Sequence, residues 1–180
     1  MATKILTYIG ILLMFFTLSG CFENENCNDL GQDTIVDNLM KIAPLQTSYN
    51  QGDYITVKVD IPSVNNFYGP NPVNIFERTG DLNGKALLGL FHILSDGNAV
   101  TIIKGEQAEH PNWFLFPYNS ENGTYELELK IQLNRVGTYT FATDNVDVLE
   151  FKGDGDCNYY LIGTGFEDPN EDGTLAFSVI

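Results

Sequence analysis

Polar and apolar residues alternate strictly over two stretches of the chain. In Tyr54–Ile61, Ile55, Val57, Val59 and Ile61 share one face, and Tyr54, Thr56, Lys58 and Asp60 the other. In Tyr125–Leu133, five apolar side chains alternate with Glu126, Glu128, Lys130 and Gln132. A period of two predicts strands buried on one face. Further strands are expected at Thr34–Met40, Val73–Glu77, Ala99–Lys104, Thr138–Thr143, Val146–Lys152, Asn158–Ile162 and Thr174–Ile180. Turn residues separate them: Asn50-Gln51-Gly52-Asp53, Asp96-Gly97-Asn98, Glu121-Asn122-Gly123 and Asp144-Asn145. Lys85–Leu94 fits a strand or a helical face, and Gly89 with Asp96-Gly97 favours a strand feeding a hairpin. About nine or ten short strands predict an all-β fold, an antiparallel β-sandwich.

The N-terminus has a different pattern. Lys4 precedes an apolar run, Ile5–Leu18, that is too short for a spanning helix and suits the core of an export signal. The run ends Leu18-Ser19-Gly20-Cys21. This resembles the lipobox of bacterial lipoproteins, which implies cleavage before Cys21 and lipidation of its sulfur and new amine. The alternatives are an ordinary secretory signal with an incidental Cys, or an uncleaved anchor. Phe22 stands where an inner-membrane retention signal would carry Asp. The following FENENCNDLGQD resembles the acidic tether of Bacteroidetes surface lipoproteins, which implies an outer-membrane anchor, the cell surface being favoured over the periplasmic face. The expected organisation is a removed signal at 1–20, a tether at 21–33 and one domain at 34–180.

Asn134–Phe141 reads NRVGTYTF. Gly137 and Tyr139 resemble the tyrosine corner of immunoglobulin-like sandwiches, in which the Tyr hydroxyl bonds back to the loop before it. Phe141 occupies the place of the inter-sheet Cys, so the resemblance is to such sandwiches in the loose sense. The whole chain is similar to Bacteroidetes lipoproteins built on this fold. That resemblance implies a location and a fold, and no activity.

Charge narrows the partners. The 180 residues carry 24 acidic and 9 basic side chains, a formal charge of −15. This excludes nucleic acid and electrostatic adhesion to anionic headgroups. The acidity is uneven. Cys21–Asp37 holds five acids and no base, Asp144–Ile180 nine acids against Lys152, and the stretch between them is nearly balanced. With Cys21 lipidated, Cys27 and Cys157 remain, and export predicts one disulfide between them, two free thiols being the alternative.

Candidate chemistry is sparse. Asp168, Asn170, Asp172 and Gly173 match the start of a calcium loop, but Val179 occupies the twelfth position where an EF-hand needs Glu. A shorter calcium site completed by Asp154 or Asp156 competes with the favoured reading of two polar turns. Glu106, Glu109 and His110 form the only acid–His cluster, read as a solvated loop, and His92 as a structural His. Tyr68 and Trp113 are the aromatics expected to face a ligand or partner. Asp33-Thr34-Ile35 matches the Bacteroidetes O-glycosylation triplet, with Thr34 as acceptor. Asn122-Gly123-Thr124 is read as a turn. No serine has a nucleophile-elbow context. The expected protein is a membrane-anchored, non-enzymatic binding or structural sandwich with no cofactor, calcium aside, and a protein or glycan partner. A glycan- or calcium-binding accessory of polysaccharide uptake is the alternative, and a hydrolase a distant third.

Overall fold

The computed structural model describes residues 32–90, 93–94, 97–142, 147–153, 158–167 and 174–180. In chain order these residues form β1 (Gln32–Ile35), β2 (Met40–Ala43), β3 (Ser48–Tyr49), β4 (Tyr54–Pro62), β5 (Val64–Asn65) and β6 (Val73–Asn74). A short helix, α1 (Ile75–Thr79), precedes β7 (Asn83–Leu87), β8 (Ala99–Lys104), β9 (Glu106–Gln107) and β10 (Trp113–Asn119). Then follow β11 (Thr124–Gln132), β12 (Gly137–Ala142), β13 (Asp147–Lys152), β14 (Tyr159–Thr164) and β15 (Thr174–Val179). The fold is all-β and sandwich-like.

The two alternating stretches become the longest antiparallel pair, β4 against β11, in register from Thr124↔Pro62 to Gln132↔Tyr54. Their apolar side chains are almost completely buried. Each contributes about 1.5–3 kcal/mol of transfer free energy. On the outer face Lys58 pairs with Glu128 at 3.2 Å, and the Lys130 ammonium lies 4.2 Å from the centroid of the Tyr54 ring.

The strands run β1-β14-β13-β7-β10-β11-β4-β2, with β8 beside β11 and β9 beside β10. β10 and β11 pair only next to their turn, at Tyr118↔Tyr125 and Asn119↔Thr124. Beyond it β10 takes β9 as neighbour and β11 takes β8, so the sheet opens into two leaves. Tyr125 of one leaf packs edge-on against Phe151 of the other, ring centroids 4.7 Å apart. At the far edges a bridge between Met40 and Phe166 joins the leaves again. A small sheet, β12-β15-β3, packs Tyr139, Phe141 and Phe177 against the same core.

Gly105 links β8 in one leaf to β9 in the other. Its φ is +99°, and a Cβ there would lie 2.5 Å from the Leu115 carbonyl oxygen and 2.6 Å from Leu127 Cδ1.

Several sequence expectations change. The sheets are not purely antiparallel, since β1 runs parallel to β14 and β3 to β15. Thr34–Met40 is not one strand: Asn38, with φ of 64°, turns the chain between β1 and β2. Val73–Glu77 becomes β6 and α1, because Asn74 caps Glu77 N–H and Gly80 closes the last turn at φ of 66°. Among the described residues of Lys85–Leu94 the strand ends at Leu87, and Leu94 N–H bonds the Leu90 carbonyl. A strand that was not among those expected, β10, runs over Trp113–Asn119 with Phe114 and Phe116 inward. The paired chain already begins at Gln32, inside the expected tether.

The tyrosine-corner bond is present. The Tyr139 hydroxyl donates to the Arg135 carbonyl at 3.1 Å and accepts from Asn98 Nδ2 at 3.3 Å. Tyr139→Phe is expected to cost about 1 kcal/mol, read by urea denaturation, because the ring stays and the bonds go. An unchanged midpoint would contradict this.

Candidate functional site

Strand register assigns the outer face of the β10 leaf. Trp113, Leu87, Val148, Gly163 and Ile35 form one row across β10, β7, β13, β14 and β1. Leu115, Lys85, Glu150, Leu161 and Asp33 form the next. Trp113 therefore ends an apolar row and Lys85 flanks it diagonally.

The β9–β10 connection folds over that end. Ala108 N–H donates to the Trp113 carbonyl and Trp113 N–H to the His110 carbonyl, both at 2.9 Å. Gln107 fixes the loop from within, its Nε2 donating to the carbonyls of His110, Pro111 and Trp113 at 3.0, 3.2 and 2.9 Å. Asn112 N–H points at His110 Nδ1, 3.4 Å away, which leaves Nε2 outward.

The result is a depression of about 480 Å³ lined by Lys85, Gln107, Glu109, His110, Trp113 and Leu115. Trp113 is half-buried, Glu109 and His110 are exposed, and the Lys85 Nζ sits 4.3 Å from the centroid of the indole. Among the described residues Lys85 makes no ion pair; the pairs are Lys41–Glu167, Lys58–Glu128 and Lys104–Glu126. The depression offers an aromatic face with hydrogen-bond donors and acceptors around it.

Trp113 and the Glu109–His110 pair thus share one site, which separate readings of a loop and an aromatic run did not join. Glu106 lies on β9 opposite Leu115, outside the lining. Lys85 and Gln107 were missed. Lys85 could have been found from alternation, since it shares a strand face with Leu87.

The other candidates are placed differently. Tyr68 is not an open platform: it is half-buried, edge-on to Tyr160 at 5.0 Å, with its hydroxyl 3.4 Å from the Leu161 carbonyl. Burial raises its pKa above the usual phenol value. The Thr34 hydroxyl, the expected glycan acceptor, is half-buried and donates to the Phe67 carbonyl at 2.9 Å. An enzyme would first have to break that bond and reach into a paired strand.

A second depression, about 490 Å³, lies between Gly105, Tyr118, Asn119, Glu121, Lys104 and Glu126. Glu126 accepts from Lys104 at 2.7 Å, Asn122 at 2.5 Å and Thr124 at 3.0 Å. These donors, Lys104 first, hold its pKa down to about 2. The carboxylate is committed inside the protein, so its role is structural.

Among the described residues no group of three or more His, Cys, Asp or Glu side chains could hold a metal ion. Cys21, Cys27, Cys157, His92 and the calcium candidates Asp154, Asp156, Asp168, Asn170 and Asp172 lie outside the described residues. No protein-family model matches the chain, and neither does any curated protein or solved structure.

Proposed function

We propose that this chain is a non-enzymatic binding module, carried outside the cytoplasm on a lipid anchor at Cys21, and that the Trp113 depression is its ligand surface. The observation that carries the reading is a half-buried indole held on a strand, with donors and acceptors around it on a loop tied down by Gln107. Preorganised sites of this kind spend little binding free energy on ordering. The Leu18-Ser19-Gly20-Cys21 segment supports the anchor, and the location is the outer membrane, facing outward.

Trp113 is the only tryptophan, so selectively excited tryptophan emission reports on this surface alone. Peptide pools, neutral and acidic polysaccharides and glycosaminoglycans form the probe panel. At least one class is expected to shift the emission and to protect it from acrylamide quenching. Failure of every class would overturn the reading. Intact mass of the membrane-extracted protein tests the anchor: a cleaved, acylated chain is expected, and an unmodified Cys21 contradicts it.

A further inference from the structure

We infer that the ligand of the Trp113 depression is an uncharged saccharide, one sugar ring stacking on the indole in place of the Lys85 ammonium. This rests on the reading of the depression as a ligand surface. It adds the chemical class, which the surrounding groups restrict.

Hydroxyl groups both donate and accept, and the rim supplies both kinds of partner. Glu109 accepts, as does Gln107 Oε1, since among the described residues only the Nε2 of Gln107 is engaged. Lys85 and the outward His110 Nε2 serve as donors. A pyranose adds a C–H face that matches an aromatic ring. A volume of about 480 Å³ accommodates a short stretch of such rings.

Charge removes the competing classes. An anionic ligand would meet Glu109 on the rim, Glu150 next to Lys85 in the sheet, and a chain of net charge −15. A cationic ligand would compete with Lys85, which already occupies the indole face at 4.3 Å. An uncharged ring displaces Lys85 at little cost, because cation–π contacts facing solvent are weak. The released ammonium stays in reach as a donor to hydroxyls.

The test is calorimetric titration of the mature, membrane-extracted protein in detergent. The probes are cellohexaose, xylohexaose, mannohexaose and maltohexaose as neutral chains, hexagalacturonate as the acidic one, and hexaglucosamine as the cationic one. At least one neutral chain is expected to bind, about tenfold or more tighter than either charged one. Trp113→Ala is expected to weaken it by about tenfold or more. Trp113→Phe, which keeps a smaller ring, falls between, and circular dichroism of both variants checks that they fold. Lys85→Met, which removes one rim donor and leaves the indole in place, is expected to weaken neutral binding by less than Trp113→Ala does.

Preference for hexagalacturonate with loss in Lys85→Met would overturn the inference and leave the ligand surface standing. So would a peptide or glycosaminoglycan that moves Trp113 emission when no neutral chain binds. A neutral chain that binds equally to Trp113→Ala, or no response from any probe, would overturn both readings.

Discussion

Gly105→Ala is expected to destabilise the sandwich by about 4 kcal/mol, combining backbone strain with overpacking. In a protein of this size that corresponds to roughly 8–16 °C in melting temperature. Gly105 carries the chain from the leaf of β11 to the leaf of β10. Both its φ of +99° and the 2.5 Å approach of the Leu115 carbonyl oxygen oppose a side chain. The carbonyl is backbone in a paired strand and cannot rotate away. Gly52 supplies the control, with a φ of +95° and no atom within 4 Å of its would-be Cβ. Gly52→Ala therefore measures the backbone penalty alone, about 1–2 kcal/mol. Urea denaturation of the two variants separates the contributions. Equal losses would mean that the leaves do not close on Gly105 as described.

Asp147→Asn is expected to do the opposite at neutral pH. Asp147 opens β13 opposite Thr164, and both residues are completely buried. One carboxylate oxygen accepts the Gly89 N–H, and the other has no partner among the described residues. Burial outweighs the single hydrogen bond and pushes the carboxyl pKa up from 3.8 to about 6. Between those values the folded state holds the proton and the unfolded state releases it. Stability contributed by this group is therefore greatest below about pH 4 and falls as the pH rises to about 6. The charge buried above that pH costs on the order of 3 kcal/mol. Asparagine keeps the acceptor for Gly89 and removes the charge. At pH 7.5 the variant should gain about 2 kcal/mol, or roughly 4–8 °C, with no gain at pH 4. Melting temperatures of both proteins from pH 4 to 8 provide the check. A variant less stable than wild type at pH 7.5 would mean that the charge has a partner.

Local pattern carried the architecture well where one face is dry and the other wet. β4 and β11 are legible because every second side chain is buried. The Tyr139 bond was legible because it closes within four residues. Information carried by distant partners was not. β10 hides behind three consecutive apolar residues, Phe114 to Phe116, because Leu115 on its outer face is half-covered too. α1 depends on Asn74, whose side chain also accepts from Ser63 at 2.6 Å, a residue in a different turn. Glu126 reads as a water-facing strand residue, yet Lys104 and the Asn122 turn enclose it. The first half of the parallel strand β1 looked like the end of a tether, since Gln32 and Asp33 are polar and are held there by strand pairing with β14. In the candidate site, residue types were visible and their meeting was not. Trp113 and His110 are close in sequence, but Lys85 reaches them only through the β7–β10 register.

The most direct measurement on the ligand surface is nitrogen-15 NMR of the indole N–H. With one tryptophan in the chain, one indole cross-peak is expected, and it belongs to Trp113. On titration with the neutral hexasaccharide that binds, that peak should move progressively and saturate. Backbone amides of Gln107, Glu109, His110 and Lys85 should move with it. An indole peak that stays fixed while the sugar binds, with amide shifts clustered elsewhere on the sandwich, would contradict the assignment of Trp113 as the centre of the site.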